Sequence, residues 1–313
     1  MSFAKKAALA AAVTGAAAVA GAYVGYKIAF RSDPERQAAI EDIPEGELFD
    51  QLREEMLTNI NRLVMEPYER VSIRSHDGLT LVGKYYAGNV GAPLIIFFHG
   101  YRSTGERDAS GGFQLCRKRG WNLLVVDQRA HGESGGRTIT FGIRERYDCK
   151  TWAEYAARRF GPETPIFIWG ISMGASTVLM ASNLELPASV RGIVADCGFD
   201  TPAGIMKSTL RRWRWPQFPM YQFAALGARL FGGFRLNEAS ALECVKNAHL
   251  PILLVHGEAD GIVPCEMAHA LRRACASPVT LLTVPGANHG ISWYVDLPAY
   301  QGALERFMEE NMG

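Results

Sequence analysis

The stretch PIFIWGISMGAS, Pro165 to Ser176, decides how the rest of the chain is read. Ile166-Phe167-Ile168-Trp169 has the composition of a buried strand. Ser172 then stands between Gly170 and Gly174, and small, apolar residues suited to a helix follow. A serine at such a strand-to-helix junction is held in a strained backbone conformation that lifts its hydroxyl clear of the sheet. The flanking glycines fit because a larger side chain would strike the neighbouring strand or helix. The helix amino terminus also favours negative charge at that point. Alone, Gly-x-Ser-x-Gly is a weak signal. Its context makes Ser172 a candidate nucleophile.

A serine nucleophile needs a base, and the chain has seven histidines. His76 falls in a predicted hairpin turn, and His249 and His269 on helical stretches, all read as surface. His289 differs, because VPGANHG follows the last apolar run and sits on a loop at the carboxyl edge of the expected sheet. The base needs an orienting acid. HGEADGIVP places Asp260 just after the penultimate strand, and Ser172…Asp260…His289 is the chain order this architecture requires. Asp196, after the preceding strand, is the main rival. Asp127 in VVDQRAHGES is another, with a role bonding loop backbone as its alternative. An oxyanion needs two N–H donors. Met173, the residue after the serine, is one. Tyr101 in FFHGYRST is the other, its N–H turned inward by His99-Gly100, with His99 as a shape and hydrogen-bonding residue.

Around this centre the chain alternates two patterns. PLIIFFHG, WNLLVVDQ, PIFIWGIS, VRGIVADC, PILLVHGE and VTLLTVPG are unbroken apolar runs, as expected of strands buried on both faces of a parallel sheet. Helical stretches such as TWAEYAARRF and CEMAHALRRACA lie between them, which predicts an α/β fold with helices on both faces. YERVSIRS and LTLVGKYYAG alternate around the turn HDG and predict an antiparallel hairpin at one edge. About fifty residues separate VADCGFD from PILLVHGEAD, too many for a structureless loop. They predict a helical cap, inserted over about 200–243, above the carboxyl edge where ligands bind in such sheets.

The 313 residues carry 33 basic and 32 acidic side chains, which gives no reason to expect nucleic acid as a partner. Six cysteines without a C-x-x-C pair fit buried free thiols better than a zinc site or a disulfide scaffold. Residues 1–30 stand apart. Ala7–Tyr26 is a charge-free run of twenty residues, long enough to cross a bilayer as a helix. It is expected to be a retained single-pass anchor in the cell membrane. The alternatives are a signal peptide, cut after Ala18-Val19-Ala20 and followed by secretion, and an Ala-rich helix packing on its own domain. Gly21-x-x-x-Gly25 would allow close approach of a second helix. Residues 31–67 read as a charged linker, to about residue 47, and then an amphipathic helix. The remaining segment, 68–313, is the main domain.

From about Tyr68 to the end the chain resembles the α/β-hydrolase superfamily. HGYRST, DQRAHGES, GISMGA, HGEADGIVP and GANHG occur in that superfamily's order and spacing. The likeness is greatest to bacterial serine hydrolases of the S33-peptidase, lysophospholipase or carboxylesterase type. It implies an eight-stranded, mostly parallel sheet, the Ser172-Asp260-His289 roles, and neither metal nor cofactor. Ala130 departs from the pattern, standing where glycine is frequent. The expected activity is hydrolysis of carboxylic esters through an acyl-enzyme, on a small acyl-ester substrate. A serine aminopeptidase or thioesterase of the same fold is the alternative. The cap's basic and aromatic run, Arg211 to Trp215, favours acyl or anionic substrates over free amines. A catalytically silent, membrane-tethered binding protein is the alternative of another class.

Overall fold

The computed structural model describes the chain apart from Met1, residues 34–38 and Gly313. Part of the linker expected before residue 47 therefore lies outside the described residues. Two helices come first, α1 (Phe3–Ala29) and α2 (Glu47–Met65). The strands are β1 (Glu69–Arg74), β2 (Thr80–Tyr86), β3 (Leu94–Phe98), β4 (Asn122–Val126), β5 (Ile166–Ile171), β6 (Val190–Asp196), β7 (Ile252–Gly257) and β8 (Val279–Val284). They form one sheet in the order β1-β2-β4-β3-β5-β6-β7-β8. β1 pairs antiparallel with β2, and β2 with β4; every other pairing is parallel. This is the eight-stranded, mostly parallel α/β sheet expected, with the hairpin at one edge.

Connecting helices cover both faces. α3 (Gly105–Arg119) follows β3, α4 (Glu145–Phe160) follows β4, and α5 (Met173–Ala181) follows β5. Between β6 and β7 come α6 (Pro202–Arg212), α7 (Gln217–Gly227) and α8 (Ala241–Cys244), the helical cap. α9 (Glu266–Ala274) joins β7 to β8, and α10 (Ser292–Val295) and α11 (Leu297–Glu310) end the chain. The unbroken apolar runs supply two cores at once. In β3, Leu94, Ile96 and Phe98 enter one core, and Ile95 and Phe97 enter the other beside Phe167 and Trp169 of β5. Each such side chain contributes roughly 1.5–3 kcal/mol on burial. One strand departs from expectation. VTLLTV, read as buried on both faces, is the edge strand β8, and only its Val284 is buried, because no strand covers its outer side.

α1 joins the domain through its carboxyl-terminal third. A Cβ on Gly25 would lie 2.9 Å from the Ala224 backbone nitrogen of α7, and one on Gly227 would lie 2.2 Å from the Ala22 carbonyl. The glycine spacing thus serves close approach, and the partner is α7 of the same chain. Beyond α1, Phe30 is fully buried and packs edge-on against Phe141 and Phe234. The Ile139 N–H bonds the Phe30 carbonyl, and the Ser32 N–H bonds that of Arg137.

Glycine defines the tightest contact in the sheet. A Cβ on Gly174 would stand 1.9 Å from the Phe98 carbonyl oxygen, so α5 crosses β3 only without a side chain there. Gly174→Ala is expected to cost about 3 kcal/mol or more in chemical or thermal unfolding. Gly302, inside α11 with nothing within 4 Å of a built Cβ, is the control. Gly302→Ala should gain about 0.5–1 kcal/mol.

Candidate active site

Ser172 sits at the carboxyl end of β5, the residue before α5, with φ 54° and ψ −116°. That conformation is unfavourable for any residue with a side chain. It is held on both sides. The Ser172 N–H donates to the Asp196 carbonyl at 2.8 Å, and the Ser172 carbonyl accepts from the Ser176 N–H at 3.1 Å. A Cβ on Gly170 would lie 2.3 Å from the Gly174 carbonyl carbon, so both glycines of the motif are needed for the turn to close.

The hydroxyl meets a histidine. Ser172 Oγ lies 2.8 Å from His289 Nε2, and His289 Nδ1 lies 2.7 Å from Asp260 Oδ2. A proton on Nδ1, donated to the carboxylate, leaves Nε2 to accept from the serine. Asp260 Oδ1 accepts the N–H groups of Ile262 and Val263, each at 2.8 Å, which fixes the carboxylate plane. Burial alone would raise the Asp260 pKa. The charge on His289, hydrogen bonds from His256 and His289 and the Val263 N–H overcome it and hold the carboxyl well below its ordinary range. His256, buried in the sheet, donates through Nε2 to the Val263 carbonyl at 2.9 Å and stands 3.4 Å from Asp260 Oδ2. Burial opposes charge on His256, yet Asp260 and the Val263 carbonyl raise its pKa.

The rival acids lie elsewhere. Asp196 Oδ2 accepts the Tyr300 hydroxyl at 2.9 Å, and burial pushes its carboxyl up to about 6. Asp127 Oδ2 accepts the Glu133 N–H at 2.9 Å and ties the following loop. Of the remaining histidines, His76 and His249 are exposed. His249 lies in the loop before β7, off the helical stretch expected for it, and His269 is on α9.

The loop between β3 and α3 passes directly beside the serine. A Cβ on Gly100 would be 3.3 Å from Ser172 Cβ. Three groups fasten this loop. His99 donates through Nδ1 to the Gly100 carbonyl at 2.8 Å and accepts the Gln128 N–H at Nε2 at 3.1 Å. Asp108 Oδ2 accepts the Gly100 N–H at 2.7 Å. His131 Nε2 accepts the Arg102 N–H at 3.0 Å, with Nδ1 donating to the Arg129 carbonyl. Burial, with His99 adding to it, pushes the His131 pKa down to about 3, so His131 stays a neutral acceptor. Tyr101 thus stands between two residues whose N–H groups are both pinned. Met173, the first residue of α5, has no intrahelical acceptor for its own N–H. Sequence reasoning missed Asp108 and His131. An acid in the first turn of a helix reads as ordinary dipole complement, and DQRAHGES shows nothing of which atom His131 faces.

Above Ser172 opens a cavity of about 890 Å³. Ile205, Met206 and Leu210 of α6, Met220 and Phe223 of α7, and Ile291 are among the apolar residues lining it. Of the six cap aromatics between Trp213 and Phe231, three line it: Trp213, Trp215 and Phe223. Phe218 points to solvent, and Phe231 packs edge-on against Tyr23 of α1. α1 itself supplies Gly21, Val24, Gly25, Ile28 and Ala29 to the wall. It is tied to the loop beside the serine: Tyr101 Oη donates to the Ala29 carbonyl at 3.0 Å, and Arg102 Nη2 to that of Ile28 at 2.8 Å.

Among the described residues, two side-chain groups have the spacing to hold a metal, Cys197-Asp260-His289 and His76-Asp77-Asp148. Their chemistry argues against it. Burial raises the Cys197 thiol well above its ordinary pKa, and Asp260 and His289 already bond each other. Arg129 bridges Asp77 and Asp148 with paired hydrogen bonds to each. All six cysteines are free, four of them buried.

Comparison with known proteins agrees with this architecture. The uncharacterized protein YqkD of Bacillus subtilis is 26% identical over 252 residues, covering 79% of this chain and 82% of that one. The lysophosphatidylserine lipase ABHD12 of Danio rerio is 27% identical over 201 residues, covering 60% of this chain and 49% of its own. Among solved structures, the Pyrococcus furiosus esterase Pf2001 superposes with a TM-score of 0.67 at 23% identity, over 81% of this chain and 94% of its own. The family model described as the prolyl oligopeptidase family matches residues 109–313, more than half of the sequence. The chain therefore belongs to the prolyl oligopeptidase family, a family of hydrolases in the α/β-hydrolase superfamily.

Proposed function

We propose that this hydrolase cleaves carboxylic esters through an acyl-enzyme, with Ser172 as nucleophile, His289 as base and Asp260 as orienting acid. The observation that carries this is the unbroken chain of hydrogen bonds from Ser172 Oγ through the His289 ring to Asp260. In the first step Ser172 Oγ attacks the acyl carbonyl and His289 Nε2 takes its proton. The imidazolium is stabilised by Asp260, whose carboxylate stays ionised. The tetrahedral oxyanion is received by the N–H groups of Tyr101 and Met173, with the amino terminus of α5 adding its dipole. His289 then protonates the leaving alcohol. Water, activated by the same nitrogen, releases the acid.

The pocket supports an acyl substrate over a free amine. Asp108 is the single carboxylate lining the cavity among the described residues, beside Arg102 and Arg107. Its oxygens already accept from the Gly100 N–H, the Ser103 hydroxyl and the Arg107 guanidinium, so its charge is engaged by the loop and by Arg107. An aminopeptidase would need a carboxylate to hold the substrate's ammonium group. A thioester would meet the same machinery and stays within this reading. We also propose that residues 1–30 are a retained anchor and 68–313 the hydrolase domain with its cap. A cut after Ala20 would split a continuous helix and leave a charged amine at Gly21, which packs against the Phe223 ring in the pocket wall.

Two measurements test the chemistry. Asp260→Asn should keep the fold and lower kcat on a nitrophenyl ester by about three to four orders of magnitude. Asp196→Asn should stay within about tenfold of wild type, since an amide oxygen can still accept from Tyr300. The reverse pattern would move the acid to β6. Along a chain-length series of nitrophenyl esters, kcat/KM should rise by roughly fourfold per added methylene until the cavity is full, then fall. Leu210→Trp, which fills part of the cap side, should move that optimum to shorter chains. An aminoacyl-amide panel run beside the esters decides between esterase and peptidase.

A further inference from the structure

The position of α1 raises a question that an anchor alone does not. A tether needs only a flexible connection to the domain it holds. Here the last turns of the helix are built into the cavity wall. They are packed on α7 through glycine and hydrogen-bonded at their carbonyls by Tyr101 and Arg102. The remainder, from Phe3 to Ala20, projects from the domain, and among its described side chains almost all are exposed.

We infer that the cavity over Ser172 is loaded from a lipid bilayer, with the projecting part of α1 inserted in the membrane and its last turns forming the wall past which a membrane-dissolved acyl substrate enters. The inference rests on the esterase reading for what happens to that substrate, but not for how it arrives. Three observations carry it. The first is length. The charge-free helix from Ala7 to Tyr26, twenty residues at 1.5 Å each, spans about 30 Å, the hydrocarbon thickness of a bilayer. The second is charge. Lys5 and Lys6 lie at the far end, and Lys27 and Arg31 at the near end, with no charge between. That spacing places a basic group in each headgroup region and sets the cap at the near interface.

The third is the rim of the cavity. Several residues both line it and face outward: Val24 at 55% exposure, Ile28, Trp213 at 53%, Trp215 at 46% and Ile262. A water-filled mouth ringed by large apolar side chains is costly in solution. Tryptophan with arginine is the composition of a membrane interface, and Arg211, Arg212 and Arg214 flank the two tryptophans. The rim and the helix that would insert share residues, because Val24 and Ile28 belong to α1. The mouth therefore opens against lipid, and the acyl chain need not cross water to reach Ser172. The substrate this fits is a single-chain acyl ester dissolved in the membrane.

The test uses the full chain and a double variant, Val13→Glu with Ala17→Glu, whose two positions are exposed and remote from the cavity. Vesicles of phosphatidylcholine and phosphatidylglycerol carry either a dodecanoyl nitrophenyl ester or a dansyl-labelled dodecyl amide that cannot be hydrolysed as an ester. Nitrophenyl acetate in buffer reports the basal reaction. Wild type should co-sediment with vesicles and hydrolyse the vesicle-borne ester at least tenfold faster than the double variant, with acetate turnover equal within twofold. Energy transfer from the rim tryptophans to the dansyl amide should appear with wild type and be lost in the variant. The inference is overturned if wild type stays in the supernatant, or if the variant leaves the vesicles yet keeps both signals. It is also overturned if sedimentation in detergent-free buffer shows α1 buried between two copies of the chain. Should acetate and dodecanoyl ester both go unhydrolysed while the dansyl signal behaves as stated, the esterase reading fails and lipid loading stands.

Discussion

The contact between Gly174 and the Phe98 carbonyl governs the carboxyl edge of the sheet. α5 must start directly over β3 for Ser172 to project between the loops, and at that approach no side chain fits. The cost is the strained backbone of Ser172, which the surrounding hydrogen bonds to Asp196 and Ser176 hold in place. Strain of this kind gathers around the site. Of the six non-glycine residues with positive φ among the described residues, Arg102, Phe141 and Ser172 line the cavity, and Cys197 follows the strand that supports the serine. Ala130, at φ 63°, explains its own departure from the superfamily pattern: the position asks for the left-handed region, where glycine is at ease and alanine is tolerated at a cost.

A rigid serine is of use only if its partners are equally fixed. The loop of residues 99–104 has no regular structure to hold it, and the protein substitutes side chains for a ladder. His99, Asp108 and His131 each bond a backbone group of this loop, and each is itself oriented by a second bond. From its outer side, Tyr101 and Arg102 reach the carbonyls at the end of α1. A helix carboxyl terminus leaves such carbonyls without intrahelical donors. The loop and α1 therefore satisfy each other, and movement of one is transmitted to the other. This is the physical link between α1 and the backbone beside Ser172.

What was legible in the sequence follows from how local each signal is. Strand runs such as LIIFF and IFIW carry their fate in composition, because burial on both faces leaves no polar position. The serine turn was legible because its glycines are required by contacts within a few residues. That His289 and Asp260 would lie at the same sheet edge as Ser172 was legible through their place after strands, since a parallel sheet delivers all its strand ends to one edge. The edge position of β8 was not, because an apolar run looks the same whether or not another strand covers it. Asp108 and His131 act on backbone atoms brought near only by the fold, so no periodicity marks them. The role of α1 was half legible. Gly21-x-x-x-Gly25 spoke of a close helix partner, but that the partner is α7 depends on where the cap settles.

The two candidate acids differ in their surroundings in a way the sequence does not show. Asp196 and Asp260 follow neighbouring strands and both reach the carboxyl edge, so either placement fits the chain order. Hydrogen bonding separates them. Asp260 accepts three donors, two backbone N–H groups on one oxygen and His289 on the other, with the His256 ring 3.4 Å from that second oxygen. Every one of them favours the ionised form, and its pKa falls despite burial. Asp196 has only the Tyr300 hydroxyl, and burial wins, so its pKa rises. A carboxylate whose charge burial disfavours is a weaker partner for an imidazolium than one held ionised by several donors. The same sheet edge thus holds two aspartates of opposite character, and the number of N–H groups facing each sets which way its pKa moves.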